Sequence, residues 1–470
     1  MTRARQTEIG GSRVVAVWGL GRFGGGLGAA EELLRRGNTL RIIDRATRDQ
    51  LAESLVRLER SAGPIEVLEE AESSLDGVDL VCVNPGVRPD HPLLEAAQRR
   101  GIPCTQELDL FLDAYPGRVT AVTGTNGKSS TTLMLARALE AATGRMTLEG
   151  GNLGGSLFDH RARWRADQDC VLEVSSFQAS RLRLDARPFS GLVIPYLGTD
   201  HIDWHGDRGA YHAAKLRLLG GLKEGAPALL GGRGPSREGA IDDRLHLLSP
   251  TDEPISTPAG LEWRGVPVLT RRDIVAQGDF QLDNARLALA LVERYGLDVR
   301  RAAKGLRGFA GLPHRLVRVG KRSGVTFFDN GVSTGPESSL SALRTLRDQG
   351  PTRWIGGGRS KDGDLTPYDE IASFARSVHL FGEVAPALSE RLRAHGIDVT
   401  RHTTCREALE DAWNRCEHGD QLVFSPGFAS FDQYPNFEAR ARVALAWWHS
   451  RTGDTARGAR PESSETSAGE

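Results

Sequence analysis

Lys128 carries the sharpest chemical meaning in this chain because of the residues around it. The run Gly124-Thr125-Asn126-Gly127-Lys128-Ser129-Ser130 follows the β-rich VTAV and precedes a helical pattern. Backbone N–H groups of a Gly-rich turn at a helix N-terminus can surround phosphate oxygens, and the helix dipole favours negative charge there. A lysine in that turn neutralises the β- and γ-phosphates, and the Ser129 hydroxyl is a hard ligand for Mg²⁺. The spacing departs from the ordinary phosphate loop, which has Gly where Val122 stands. A second Gly-rich turn, GLGRFG, follows the run RVVAVW and leads through a helical stretch to LRIID, ending at Asp44. Read alone, that unit suggests a nicotinamide dinucleotide and a dehydrogenase, but a single GxGxxG is a weak signal.

These turns require strands and helices behind them, and the chain supplies the alternation. VDLVCVNPG and HPLLEAAQRRG continue the first unit to about residue 110. The second unit opens at VTAV and continues with strand candidates CVLEVSS and GLVIPYLG and helical patterns in AYHAAKLRLLGGL and NARLALALVERYG. Residues 226–270 read as loops and small strands. A third unit begins near GLPHR, with strands at VTFFD, TRWIGGG, VHLFG and DQLVFSPG. The expected fold class is α/β, with three α/β domains in series. The first and third are Rossmann-like, and the central one is a P-loop-type ATPase domain on a parallel sheet. Their expected limits are 1–111, 112–311 and 312–452, followed by a disordered tail at 453–470 that has no apolar pattern.

Bulk properties fit this division. At 470 residues the chain is too long for one ordinary core, and about three domains is the length expectation. Lys and Arg number 60 against 61 Asp and Glu, so no global charge draws the chain to nucleic acid or a membrane. Any anion must be held by a local site. The five cysteines lack CxxC spacing and are expected to be buried or half-buried free thiols. The polar start has no apolar leader segment, which leads to an expectation of a cytoplasmic protein.

Several of these runs have counterparts in one family. TGTNGKSS resembles the TGTNGKST turn of the Mur ligases, GGNLG resembles their GGNIG loop, and LEVSSFQ resembles LExSSFQ. TDHIDWHG and AAKLRL are similar to the family's DHxDxH and AKxRI elements, and GLPHR to its hinge into the third domain. FSPGFASFDQYPNFEAR and GGRSKDGDL resemble segments of the MurD branch, which adds glutamate, and argue against another Mur ligase or a folylpolyglutamate synthase.

The resemblance implies an ATP-dependent ligase that joins UDP-N-acetylmuramoyl-L-alanine to glutamate through an acyl phosphate, with two Mg²⁺ sites. It places Gly124, Thr125, Asn126, Gly127, Lys128, Ser129, Ser130, Asn284, Arg315 and Asp329 at the nucleotide. Ser129, Glu173, His201 and Lys215 fall where the family holds metal, Lys215 as a lysine carbamylated by CO₂. Lys128, His201, Lys215 and Arg315 are the implied catalytic groups. The first domain would hold the UDP-sugar through Gly21, Arg22, Phe23, Asp44, Asn84 and Gly86, with Asn152 and Ser175 completing that side. Thr334, Lys361, Ser430 and Phe437 match the glutamate clamp, a lysine and hydroxyl donors for two carboxylates. From residue type alone, a helical lysine such as Lys215 belongs on a solvated face, and a histidine is an unusual Mg²⁺ ligand.

Departures from the pattern define the alternatives. Val332 stands where the family has a lysine near the γ-phosphate, Phe280 replaces a histidine facing adenine, and Ala441 replaces the glycine after Arg440. Val332 motivates a non-catalytic UDP-muramoyl-binding protein as one alternative. DNGVSTGPESS resembles the DSISTTP-type segment of an L-glutamate-adding variant, although D-glutamate is the first choice. The expected oligomeric state is a monomer.

Overall fold

The apolar runs VVAVW and LVCV are buried almost from end to end, as strands covered on both faces must be. They are β1 (Val14–Trp18) and β4 (Leu80–Val83) of a five-stranded parallel sheet, with β2 (Thr39–Ile43), β3 (Glu66–Leu68) and β5 (Cys104–Thr105). The strand order is β3-β2-β1-β4-β5, so the chain reverses direction across the sheet at β1, where ligands of doubly wound sheets bind. The computed structural model describes residues 12–20, 24–231, 242–278, 280–360 and 363–451. Gly21, Arg22, Phe23, Lys361 and the 453–470 tail lie outside the described residues.

A second parallel sheet contains β6 (Arg118–Val122), β7 (Leu148–Gly151), β8 (Asp169–Glu173), β9 (Phe189–Ile194), β10 (Ala228–Leu230) and β11 (Leu245–Leu247). Its order is β11-β10-β9-β6-β8-β7. The register pairs Val122 with Glu173 on one side and with Val193 on the other. The Gly-rich turn therefore leaves the sheet beside the carboxylate that ends β8. The small strands expected between 226 and 270 divide. β10 and β11 extend the parallel sheet, whereas β12 (Ile255–Thr257), β13 (Gly260–Trp263) and β14 (Val266–Thr270) form a separate antiparallel sheet.

A third sheet comprises β15 (Val317–Arg322), β16 (Val325–Asp329), β17 (Thr352–Gly357), β18 (Ala375–Phe381), β19 (Asp398–His402) and β20 (Gln421–Gly427). All neighbours are parallel except the β15–β16 hairpin. The protein is thus α/β with three parallel-sheet domains. By packing it falls into two compact units. One comprises residues 1–273 with 280–307, and the other residues 274–279 with 308–470. Among the described residues no helix is long and apolar enough to cross a membrane. Of the cysteines, Cys104 departs from expectation: β5 is an edge strand, and Cys104 is exposed.

Within the first unit the first two sheets are joined by polar contacts. The Ser156 hydroxyl donates to Glu107 Oε1 at 2.6 Å, and Gln106 Nε2 donates to the Gln178 carbonyl at 3.0 Å. Arg161 reaches the buried Glu32 at 2.9 Å. The Gly25–Arg35 helix approaches this seam so closely that a Cβ on Gly28 would stand 1.8 Å from Ser156 Oγ, which only glycine avoids.

Burial raises the Glu107 carboxyl to about 7, against lowering hydrogen bonds from Ser156 and the Leu157 N–H. A carboxyl whose folded pKa exceeds its unfolded one stabilises the fold at low pH and loses that contribution as pH rises through the folded pKa. Glu107→Gln is always neutral and should therefore melt higher than the native chain above pH 7. The advantage should vanish near pH 4. Melting curves of both proteins between pH 4 and 8 check this, and a difference that does not change with pH would refute it.

Candidate active site

Three strand ends meet at the phosphate-type turn. Gly124 and Gly127 both have positive φ, 148° and 82°, a conformation that a side chain would strain. Gly127 also faces Asn284, whose Oδ1 would be 2.8 Å from an added Cβ. Asn284 is buried, so the helix Phe280–Arg294 packs its polar residue directly under the turn. Phe280, at that helix's start, is exposed. The helix Lys128–Thr143 begins at the turn with Ser129 and Ser130 buried, leaving the Lys128 ammonium bonded to the Thr125 carbonyl at 2.9 Å. Asn126 is exposed.

Glu173 is almost fully buried, yet one oxygen lacks a partner. Its Oε1 accepts from Asn152 Nδ2 at 2.8 Å, while Oε2 has none. A buried carboxylate oxygen left bare costs several kcal/mol unless a cation or donor reaches it, on the order of the penalties for unpaired buried charge. Asn152, expected on the substrate side, is here the residue that orients this carboxylate. Ser175 is the N-cap of the Ser176–Arg181 helix, in a capping box with Gln178.

Lys215 overturns the reading from residue type alone. It is 1% exposed, on the helix Arg208–Leu216, with its Nζ 4.6 Å from the Tyr211 ring centroid. Tyr211 in turn donates to Thr125 Oγ1 at 3.1 Å, which ties this helix to the turn. Burial, helped by the neighbouring Lys128 charge, lowers the Lys215 ammonium to about 7, against the attraction of Asp200 and Glu173. At neutral pH a large share of it is the free amine. His201 is exposed, with φ 50°, beside Asp200 and against the Phe177 ring at 4.8 Å between centroids.

In the first sheet, Asp44 at the end of β2 accepts from the Leu20 and Ala46 N–H groups at 3.0 and 2.9 Å and so shapes the turn after β1. Asn84 accepts from Gly86 N at 3.0 Å, folding the loop after β4 beside Gly19. Both positions sit at the strand ends flanking the switch point.

In the second unit, β16, β20 and β17 are neighbours, so the loops leaving their C-terminal ends lie side by side. They carry Thr334 and Ser430, whereas Lys361 lies outside the described residues. Ser430 is buried and its carbonyl accepts from Gln433 and Tyr434 N–H, a tight turn before the helix Phe437–Ser450. Asp329, at the end of β16, is buried with both oxygens engaged, by His314 Nδ1 at 2.7 Å and Gly331 N at 2.9 Å. Arg315 is exposed.

Residues 13–106 match the model for the MurD-like N-terminal domain of Mur ligases, and residues 122–241 match the Mur ligase middle domain. Over 436 residues the chain is 34% identical to a UDP-N-acetylmuramoylalanine–D-glutamate ligase of Rubrobacter xylanophilus, covering 92% of this chain and 97% of that protein. A ligase of the same name from Ralstonia nicotianae is 32% identical over 494 residues, at 92% and 96% coverage. The chain belongs to the Mur ligase family. Solved Mur ligases share the fold. MurF of Acinetobacter baumannii superposes with TM-score 0.58 at 16% identity, covering 92% of each chain. MurC of Thermotoga maritima gives 0.57 at 17% identity, covering 94% of this chain and all of that one.

One residue central to this Mur ligase's third domain is given no role in a reading of motifs. Arg440 is fully buried, and its guanidinium donates to the carbonyls of Gly357 at 3.2 Å, Phe428 at 2.9 Å and Ser333 at 3.2 Å. Those carbonyls belong to the three neighbouring loops, and among the described residues no carboxylate pairs with it. Burial lowers its pKa to about 10. Only its place in the NFEAR run hinted at importance. Arg440→Met keeps the bulk but takes the donor from the Gly357 and Phe428 carbonyls and one of two donors from that of Ser333, and should cost on the order of 2–4 kcal/mol of stability in that domain. Urea unfolding of the variant checks this, and a loss below about 0.5 kcal/mol would refute the tie.

Proposed function

We propose that this chain forms the amide bond between the alanyl carboxylate of UDP-N-acetylmuramoyl-L-alanine and the amine of D-glutamate, using ATP, in peptidoglycan precursor synthesis. The observation that carries this reading is the buried Lys215, on a helix that Tyr211 ties to the phosphate-type turn through Thr125, within electrostatic reach of Lys128 and Glu173. It is supported by the 34% identical D-glutamate ligase aligned over nearly the whole chain.

The carboxylate of the muramoyl-alanine attacks the γ-phosphorus, giving an acyl phosphate and ADP. Lys128 neutralises the charge that grows on the transferring group, and the turn's N–H groups hold the phosphates in line. A neutral Lys215 amine can add to CO₂, forming the N–C bond and releasing one proton, which yields a carbamate oxygen beside Glu173. The unpartnered Glu173 oxygen, the Ser129 hydroxyl, His201 and a carbamylated Lys215 suit Mg²⁺, which would supply charge neutralisation and a hard template for the phosphates. The glutamate amine then attacks the acyl carbon and phosphate leaves. Thr334, Ser430, Lys361 and the Phe437 backbone would fix the two glutamate carboxylates, with Arg440 holding their loops in register. Asn284 below the turn belongs to the proposed nucleotide side, and Arg315 and Asp329 are proposed as nucleotide-binding residues of the second unit. Asp44, Asn84 and Gly86, with the turn around Gly21, Arg22 and Phe23, take the UDP-sugar.

The loop DNGVSTGPESS favours L-glutamate as a second reading, because a displaced loop can move the amine relative to two fixed carboxylates. Product mass and ADP release, measured with each glutamate enantiomer separately, decide between them. A clear preference for D-glutamate is expected. A preference for L-glutamate would replace the first reading with the second, and no product from either would sink the ligase.

Lys128→Ala should lose on the order of 3–4 kcal/mol of transition-state stabilisation, a factor of roughly 10²–10³ in turnover. Lys215→Ala should be equally inactive and regain part of its rate when short carboxylic acids are added. Turnover of Lys215→Ala near the native rate would remove the carbamate from the mechanism.

A further inference from the structure

Between β18, β19 and the helix Cys405–Asn414, a polar cluster has more short contacts than it has hydrogens. The β18–β19 register sets His379 opposite Thr400 and Phe381 opposite His402, so both histidines and Thr400 share one face. The helix Cys405–Asn414 adds Asp411. His379 Nδ1 lies 2.9 Å from Asp411 Oδ2 and 3.0 Å from Thr400 Oγ1. His402 Nε2 lies 3.2 Å from the same carboxylate oxygen and 3.0 Å from the same hydroxyl. Thr400 Oγ1 and Asp411 Oδ2 are 2.8 Å apart. The two ring nitrogens and the hydroxyl can supply one hydrogen each, and the carboxylate supplies none. Three hydrogens cannot serve five contacts without bent, shared bonds or facing lone pairs.

We propose that His379, His402, Asp411 and Thr400 form a binding site for one zinc-class divalent cation. Four ligand atoms around a tetrahedral Zn²⁺ at about 2.0–2.1 Å stand roughly 3.3 Å from one another. Five of the six separations here lie between 2.8 and 3.2 Å, so a small expansion admits the ion. Two imidazoles, a carboxylate and a hydroxyl are the nitrogen and oxygen set that zinc accepts and that Mg²⁺ does not favour. The outer partners are also in place. Ser377 Oγ contacts His379 Nε2 at 2.9 Å, and Arg415 Nε donates to Asp411 Oδ1 at 3.1 Å, which fixes the ring and turns the other oxygen inward. The Arg415 charge weakens the hold on a dication, which makes the ion exchangeable. Gln433 Nε2 donates to the Thr403 carbonyl at 2.6 Å, so an ion at His402 would brace the end of β19, to which the Ser430 loop is attached.

The test uses the full chain, stripped with a chelator and dialysed to equilibrium against Zn²⁺ with excess Mg²⁺, metal being counted by mass spectrometry. The native protein should hold one equivalent more than His402→Ala and Asp411→Asn, both checked for native circular dichroism. It should also melt several degrees higher with Zn²⁺, a shift absent from the variants. Equal metal content in the native chain and the folded variants would overturn the site. Loading the native chain with Co²⁺ gives a readout independent of the variants. An intense visible band from four-coordinate cobalt is expected, and only the weak six-coordinate spectrum would overturn the proposal.

Discussion

A buried carboxylate with one bare oxygen sets the terms for the central domain. Glu173 sits at the end of β8 because the register pairs it with Val122, and the turn after β6 starts there. The same parallel geometry brings Lys128 and Lys215 into one low-dielectric region. Coulomb interactions between such groups are several-fold stronger than in water, so their balance is sensitive to any ligand charge. Burial, and after it repulsion from Lys128, makes Lys215 yield its proton more readily. A nucleotide's phosphates and a hard cation would relieve both imbalances at once. The site is thus arranged around charges that it does not itself contain.

The third domain solves a related problem with a different device. Its three loops leave adjacent strand ends and are tied by backbone bonds, Arg359 with Ala429 and Gly427 N–H to the Ser333 carbonyl, and by Arg440, which reaches all three. A planar guanidinium has donors in fixed directions, so three carbonyls bound to it cannot move independently. Lysine, with one compact charge, would not hold them in the same way. The buried cation is tolerated because carbonyl dipoles surround it, and its depressed pKa records what that burial costs. Glycine is required beside it: an added Cβ on Gly358 would lie 2.2 Å from the Ala429 carbonyl and 3.0 Å from the guanidinium.

Features with a local signature were legible in the sequence. The two Gly turns, the alternation of strand and helix, and the segments from GGNLG to ASFDQ each occupy a few consecutive residues, and the fold places them at strand ends. Features created by long-range pairing were not. Lys215 looks like a solvated lysine until the Tyr211–Thr125 contact brings its helix over the turn. Asn152, expected on the substrate side, also donates to Glu173, a contact that no motif announces. The His379, His402 and Asp411 cluster spans three elements with no motif spacing, and only the β18–β19 register unites it. Cys104 was misread because the exposure of a cysteine depends on whether its strand is central or at an edge.

The entry into the third domain shows how the divergent loop and the rest of that domain constrain each other. His314 and Leu316 both have positive φ, 60° and 48°, which costs each of them on the order of 1 kcal/mol. Such strain persists only where surrounding bonds over-determine it. Here the bonds come from one place: Asp329 holds the His314 ring, Asn330 Oδ1 accepts from Leu316 N at 3.1 Å, and Val332 N donates to the His314 carbonyl at 3.0 Å. The pairing with Asp329 raises the His314 pKa, so the ring is charged more readily and the contact strengthens. These three anchors belong to residues 329–332, a run in which the sequence resemblance marks a departure from the family's pattern. At Val332, which the sequence resemblance matches to a lysine, it is the backbone N–H that holds the segment in place. The structural role of this loop is carried by main-chain atoms and by Asp329 and Asn330, so the side chain at 332 is not needed for it.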